Sequence, residues 1–169
     1  MQVSPSGHLP VTFYRSLNDL PSYKAYAMQG RTYRYYNGPV QYPFGFGLSY
    51  TSFGYSWEQH AGSKYTAKDT VSFSVKVNNQ GGMDGDEVVQ AYIQYPSGER
   101  MPVKELKAFR RVHVVRGGNS EALFSIPLNE LMKWDLANHQ WRLYKGIYKL
   151  IVGSHSRDEK LTATFQVPG

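Results

Sequence analysis

The sequence predicts an all-β antiparallel sandwich that carries an irregular aromatic strap at its N-terminus. Three observations predict it. From residue 53 onward, short runs alternate apolar and polar residues with period two. Clusters of Gly, Pro, Asn, Asp and Ser separate those runs. Residues 1–50, in contrast, are dense in Pro, Gly and Tyr, and they are interrupted too often for regular structure while being too aromatic for free solvent.

Taken in order, "HLPVTFY" (8–14) suits one strand, and Pro21 interrupts any helix in "SLNDLPSYKAY". The run "GRTYRYYNGPVQYPFGFGLSY" (30–50) follows; its rings, among them Tyr33, Tyr35, Phe44 and Phe46, need a surface to lie on. It is expected to wrap over the sandwich itself or over a missing neighbour. "FGYSW" (53–57) is a short strand. In "DTVSFSVKVNN" (69–79), Val71, Phe73, Val75 and Val77 point to one face, and Ser72, Ser74 and Lys76 to the other. "NNQGGMDGD" (78–86) is a loop, and "EVVQAYIQY" (87–95) is a strand stopped by Pro96. "KELKAFRRVHVV" (104–115) is a strand whose alternation slips near Arg110–Arg111, where a bulge or bend is expected. "EALFSIPL" (121–128) runs back, "LNELMKWD" (128–135) includes one helical turn, and Trp141 and Leu143 start a short strand. "IYKLIVGSHS" (147–156) and "KLTATFQV" (160–167) complete about seven strands. That number and size suit an immunoglobulin or fibronectin type III-like sandwich, with a barrel as the alternative that strand count does not separate.

Composition narrows the function classes. The chain has 169 residues, 41% of them hydrophobic and 19% charged, enough for one good core. The formal net charge is +6, but Lys and Arg are scattered, with only Arg110 and Arg111 adjacent; a nucleic-acid partner is not expected. There is no cysteine, which excludes disulfides and thiolate-ligated metals. No stretch is long and apolar enough to span a membrane. The first residues show no basic region followed by an apolar run, so no signal peptide is visible.

The search for chemistry finds no self-sufficient catalytic site. Asp84, Asp86 and Glu87 sit in or beside one loop but lack the register of a calcium loop, and a solvated turn before a strand is the simpler expectation. His8, His60, His113, His139 and His155 form neither HExxH nor a short ligand pair. Nothing resembles GxSxG, a dinucleotide fingerprint or a Walker loop. No catalytic residue, metal site or cofactor is therefore expected. Trp134 and Trp141 flank "DLANHQ" and suit either plugs between sheets or stacking platforms for a sugar ring.

Several separated motifs carry a family resemblance. "YPFGFGLSYTSF" (42–53) resembles the signature that precedes the C-terminal fibronectin type III-like domain of family 3 glycoside hydrolases. "VNNQGGMDGDEVVQAYIQYP" (77–96), "PVKELKAFRRVHVVRGG" (102–118) and "WRLYKGIYKLIVGSHSRD" (141–158) are similar to the segments that follow in that family. "PSGHLPVTFYRS" (5–16) resembles the end of its catalytic α/β domain. The resemblance implies that residues 1–52 are the tail of that domain plus a linking strap, and that 53–169 are the sandwich. It implies a parent that is a retaining, exo-acting β-glycosidase, periplasmic or extracellular. Its nucleophile Asp and acid/base Glu lie upstream of the segments matched here. "GRTYRYYNG" (30–38) looks more like β-xylosidase and α-arabinofuranosidase members than like β-glucosidases.

The first expectation is thus a non-catalytic accessory domain whose partners are the upstream catalytic domains of its parent. Tyr33, Tyr35, Phe44, Phe46, Trp134 and Trp141 are its candidate sugar or domain contacts. The rivals are an independent carbohydrate-binding module with an oligosaccharide ligand, which calls for exposed, coplanar aromatics, and an adhesion-type protein-interaction domain, which calls for no strap.

Overall fold

The computed structural model describes residues 3–98 and 100–168. Its strands are β1 (Phe13–Tyr14), β2 (Val40–Tyr42), β3 (Phe53–Gln59), β4 (Thr70–Asn79), β5 (Gly85–Gln94), β6 (Glu105–Val114), β7 (Asn119–Pro127), β8 (Lys133–Asp135), β9 (Gln140–Arg142), β10 (Gly146–Gly153) and β11 (Leu161–Val167). One short helix, α1 (Thr32–Tyr35), and two 3₁₀ turns (Leu17–Asp19 and Leu128–Leu131) complete the elements.

Two antiparallel sheets face each other. One runs β11-β10-β5-β6 and the other β3-β4-β7. The chain changes sheet between β4 and β5 and again between β6 and β7, which makes a sandwich of the immunoglobulin/fibronectin type III kind and not a barrel. Alternation explains why these segments are strands. Val71, Phe73, Val75 and Val77 of β4 are buried, as are Ala122, Phe124 and Ile126 of β7. They meet Val89, Ala91 and Ile93 of β5 and Tyr148, Leu150 and Val152 of β10. Phe73 stacks on Phe124 at 4.9 Å and Tyr148 on Phe165 at 5.2 Å. Each such side chain contributes about 1.5–3 kcal/mol when fully buried.

The differences from expectation have physical causes. The bulge in β6 lies at Lys107, because Ala91 pairs with Ala108 while Tyr92 pairs with Leu106. The ladder is regular again through Arg110 and Arg111, and Phe109 is exposed. Ser74 sits on the outer row of β4 but is buried. Residues 30–50 hold more regular structure than their Gly and Pro content suggests: α1 forms, and β2 pairs antiparallel with β1. α1 opens on Thr32 in the left-handed region, φ 55°, with its N–H donated to the Tyr14 hydroxyl at 2.6 Å.

Candidate functional site

The strap is seated on the outer face of the four-stranded sheet. That is why β5 does not alternate: Val89, Gln90, Ala91, Tyr92 and Ile93 are all buried, one row by the core and the other by the strap. Gln90 is the anchor. Its Nε2 donates to the Gly45 carbonyl at 3.0 Å and to the Ser154 carbonyl at 2.5 Å, and its Oε1 accepts from the Tyr92 hydroxyl at 2.5 Å. His8 Nδ1 donates to the same Gly45 carbonyl at 2.5 Å. Backbone bonds tie the strap to itself, Leu9 N to Phe46 O at 2.9 Å and Gly45 N to Leu9 O at 2.8 Å. A further one ties it to the sandwich, Ser156 N to Phe44 O at 2.9 Å.

The predicted aromatics divide into three places. Tyr33 stacks on Phe44 at 4.3 Å, meets Tyr92 edge-on at 5.8 Å, and accepts from Leu106 N at 3.0 Å. Phe46 lies between Tyr42, at 5.3 Å, and His155, at 5.9 Å, where burial holds the imidazole below its usual pKa. Tyr35 is turned away from these rings, into a groove with Trp134. Trp134 and Trp141 are direct cross-strand partners on the β8–β9 hairpin, their rings 5.8 Å apart at 74°. They are 47% and 64% exposed, so they are not plugs between sheets. Being near-perpendicular, they do not form the coplanar platform that a flat polysaccharide surface calls for.

The strap has a second, outward face. Pro5, Leu9, Phe13, Tyr42, Phe46 and Leu48 line a shallow apolar depression of about 490 Å³. Phe13, Tyr42 and Leu48 are exposed there, and Val3, Val11 and Tyr50 are exposed elsewhere along the strap.

The burial of Glu105 was not legible in the sequence, and Glu87, expected at a solvated turn, is buried as well. Glu105 accepts from the Tyr95 hydroxyl at 2.7 Å and is ion-paired with Lys133, with Lys107 at 3.1 Å and with Arg34 of α1 at 3.5 Å. Burial opposes its ionisation. The bonds from Lys133 and Tyr95 and the charges of Lys107 and Lys133 outweigh that and hold its pKa at about 2. Glu105 therefore ties β6, the strap and the hairpin together. Glu87 accepts from the Tyr55 hydroxyl at 2.5 Å, and burial pushes its carboxyl above the usual range against the opposing effect of that bond and of His8 and Lys160. A polar residue inside an apolar run, Gln90 in "VVQAYI", was the available signal for the strap anchor.

The acidic loop is dispersed by its own partners. Asp86 pairs with Arg111 and His113, Asp84 Oδ1 accepts from Arg116 N at 2.7 Å, and Glu87 is turned to Tyr55. Among the described residues no group of three His, Cys, Asp or Glu is placed to hold a metal ion.

Known proteins match both halves of this arrangement. Residues 2–50 match the model of the glycosyl hydrolase family 3 C-terminal domain, and residues 87–156 match that of the fibronectin type III-like domain. The chain belongs to the family 3 glycoside hydrolases, as their C-terminal, fibronectin type III-like part. It is 36% identical to a probable beta-glucosidase D of Aspergillus niger over 98% of this chain and 25% of that protein. It is equally 36% identical to a xylan 1,4-beta-xylosidase of Xylanibacter ruminicola, over 95% of this chain and 19% of that protein. The solved beta-glucosidase of Bifidobacterium adolescentis superposes with a TM-score of 0.86 at 32% identity, covering 98% of this chain and 26% of its own. Beta-glucosidase 3B of Thermotoga neapolitana, in complex with alpha-D-glucose, gives 0.84 at 33% identity over 98% of this chain and 25% of its own. The chain spans about a quarter or less of the length of these relatives.

Proposed function

We propose that this chain is the non-catalytic accessory region of a retaining, exo-acting β-glycosidase, and that its strap joins the sandwich to the catalytic domains of that parent. One observation carries the proposal: the strap is two-faced. Its inner face is fixed to β5, to β6 and to the turn after β10 through Gln90, Tyr33 and Phe44, while its outer face presents Phe13, Tyr42 and Leu48 to solvent. A segment that is rigid on one side and apolar on the other is a mould for a neighbour. On this proposal residues 1–52 are the end of the α/β domain plus the strap, and 53–169 are the sandwich. The adhesion-type alternative, which has no use for a strap, loses ground.

Double displacement needs two carboxyl groups about 5–5.5 Å apart on either side of the scissile bond. The buried acids here serve structure: Glu105 is committed to three cations, and Glu87 to a tyrosine. The chain's contribution is placement, because small misalignments of a pocket wall are expensive in rate. The parent's substrate is a β-glucoside or a β-xyloside, the two activities named among the relatives, and its compartment is periplasmic or extracellular.

The test is association in trans. The upstream region of the parent, produced separately, is mixed with this chain and followed by sedimentation velocity and by the midpoint of thermal unfolding. A complex that stabilises the upstream region, and that Phe13→Asp with Leu48→Asp abolishes, supports the proposal. Two folded components that ignore each other overturn it.

A further inference from the structure

The Trp hairpin shares none of its lining residues with the outer face of the strap. It therefore asks for a partner of its own. Between the hairpin and α1 runs a groove of about 570 Å³, lined by Tyr35, Met101, Lys133, Trp134, Asp135 and Tyr144 among others. We propose that this groove is a non-catalytic sugar-binding site that takes the end of a single neutral, β-linked oligosaccharide, with one ring against Trp134. The choice of sugar rests on the assignment of the chain to a β-glycosidase; the groove itself does not.

The residues on either side of Trp134 are anchored. Asp135 accepts from Ala137 N at 3.0 Å, from Asn138 N at 3.2 Å and from Asn138 Nδ2 at 2.8 Å, and it reaches Arg142 at 3.4 Å across the hairpin. On the neighbouring position Lys133 is fixed by Glu105 and lies over the Tyr95 ring at 4.6 Å. Trp134 stands between these two anchored residues. An exposed indole held in place before any ligand arrives loses little conformational entropy on binding. Trp57, by comparison, packs edge-on against Phe73 of the core at 5.9 Å, which leaves the hairpin pair as the tryptophans available to a ligand.

The apolar C–H face of a pyranose matches an aromatic ring, and its hydroxyls match the polar tips at the groove's edge. Among the charged residues that line it, Lys133 is paired with Glu105 and Asp135 with Arg142, and Arg100 lines it as well. The neutral charge of the ligand rests, with the choice of sugar, on the assignment of the chain to a β-glycosidase. At 74° the two indoles cannot lie together under one extended chain, so the site fits a terminus or a single ring and not a crystalline surface.

The experiment is a titration of the 169-residue chain with cellotetraose and, separately, xylotetraose, read in the indole N–H signals of its nuclear magnetic resonance spectrum. Saturable shifts of Trp134 in the millimolar range are expected, with the Trp57 signal unmoved as an internal control. Trp134→Ala, at a site half exposed to solvent, is expected to weaken binding by about tenfold or more. Tyr144→Ala, with its fold verified by circular dichroism, is expected to weaken it too. A dispersed spectrum that does not shift with either sugar up to about 10 mM, the affinity floor for a specific site, overturns the proposal. So does a sugar-dependent shift of the Trp141 signal that Trp134→Ala leaves intact. Loss of association with the upstream region on Trp134→Ala, without any sugar shift, also overturns it and assigns the groove to the parent's interface. Failure of the strap proposal is read separately, in Phe13→Asp with Leu48→Asp.

Discussion

The carbonyl oxygen of Gly45 accepts a hydrogen bond from Gln90 Nε2 at 3.0 Å, and this contact closes the strap onto β5. Two things about position 45 make it intolerant of a side chain. Its φ is +83°, in the region that costs an L-residue about 1–2 kcal/mol. A Cβ there would also run into the Gln90 amide, which cannot retreat because Tyr92 and Ser154 hold it. Gly45→Ala is expected to lower the unfolding midpoint by about 5 °C, measured by calorimetry. An unchanged midpoint would mean that the strap is not part of the cooperative unit. Adding Gln90→Ala removes the clash but not the dihedral cost, so the two changes are expected to be less than additive.

Tyr33 offers a finer probe of the same seam. Its ring stacks on Phe44, and its hydroxyl accepts from Leu106 N, next to the β6 bulge. Tyr33→Phe keeps the stack and removes the acceptor. The Leu106 N–H then loses its partner at a cost of about 1–2 kcal/mol. Hydrogen exchange at Leu106 is expected to quicken while that at Phe73 and Phe124 stays slow. Equal acceleration at all three would show that the hydroxyl matters to the whole fold and not to the seam.

The strands of the two sheets were legible because each buries one face only, as Val71, Phe73, Val75 and Val77 do on β4. β5 was recognisable as a strand, but its second buried row was not, since what covers it is the strap some 45 residues earlier in the chain. The need of Tyr33, Phe44 and Phe46 for a surface was legible; that the surface is this sheet follows only from the three-dimensional arrangement. Trp134 and Trp141 could not be assigned to core or surface from sequence, because a three-residue strand carries too short a period to orient either ring. Glu105 lies in "KELK", where alternating charge usually marks a solvated face. Its burial depends on Tyr95, Lys133 and Arg34 converging from three other elements.

Glu87 and Glu105 are both buried, yet their protonation is linked to stability with opposite sign. For Glu87, burial raises the pKa above the ordinary 4.5. Its contribution is complete at low pH and is lost as pH rises through the raised value. Glu87→Gln keeps an oxygen for the Tyr55 hydroxyl and removes the ionised form. The variant is expected to match or exceed the unmodified chain in urea unfolding at pH 7, with a flatter profile above pH 4.5. A large loss of stability at pH 7 would show that the Glu87 carboxylate itself is needed and would reverse the assigned sign.

For Glu105 the pKa falls from the ordinary 4.5 to about 2. The folded carboxylate is favoured, so its contribution is present above pH 4.5 and is lost as pH falls toward 2. With partly solvated partners the effect is on the order of 2 kcal/mol. Glu105→Gln leaves Lys133, Lys107 and Arg34 facing one another without a counter-charge. It is expected to destabilise the chain by that amount at pH 7, and the gap is expected to close as the pH approaches 2. Because Lys133 begins β8, the same variant is also expected to loosen the hairpin, seen as a shift of Trp134 and Trp141 fluorescence at pH 7 before global unfolding. A gap that stays constant from pH 7 to pH 2 would assign the loss to packing of the Glu105 side chain and remove the ion-pair cluster from the account.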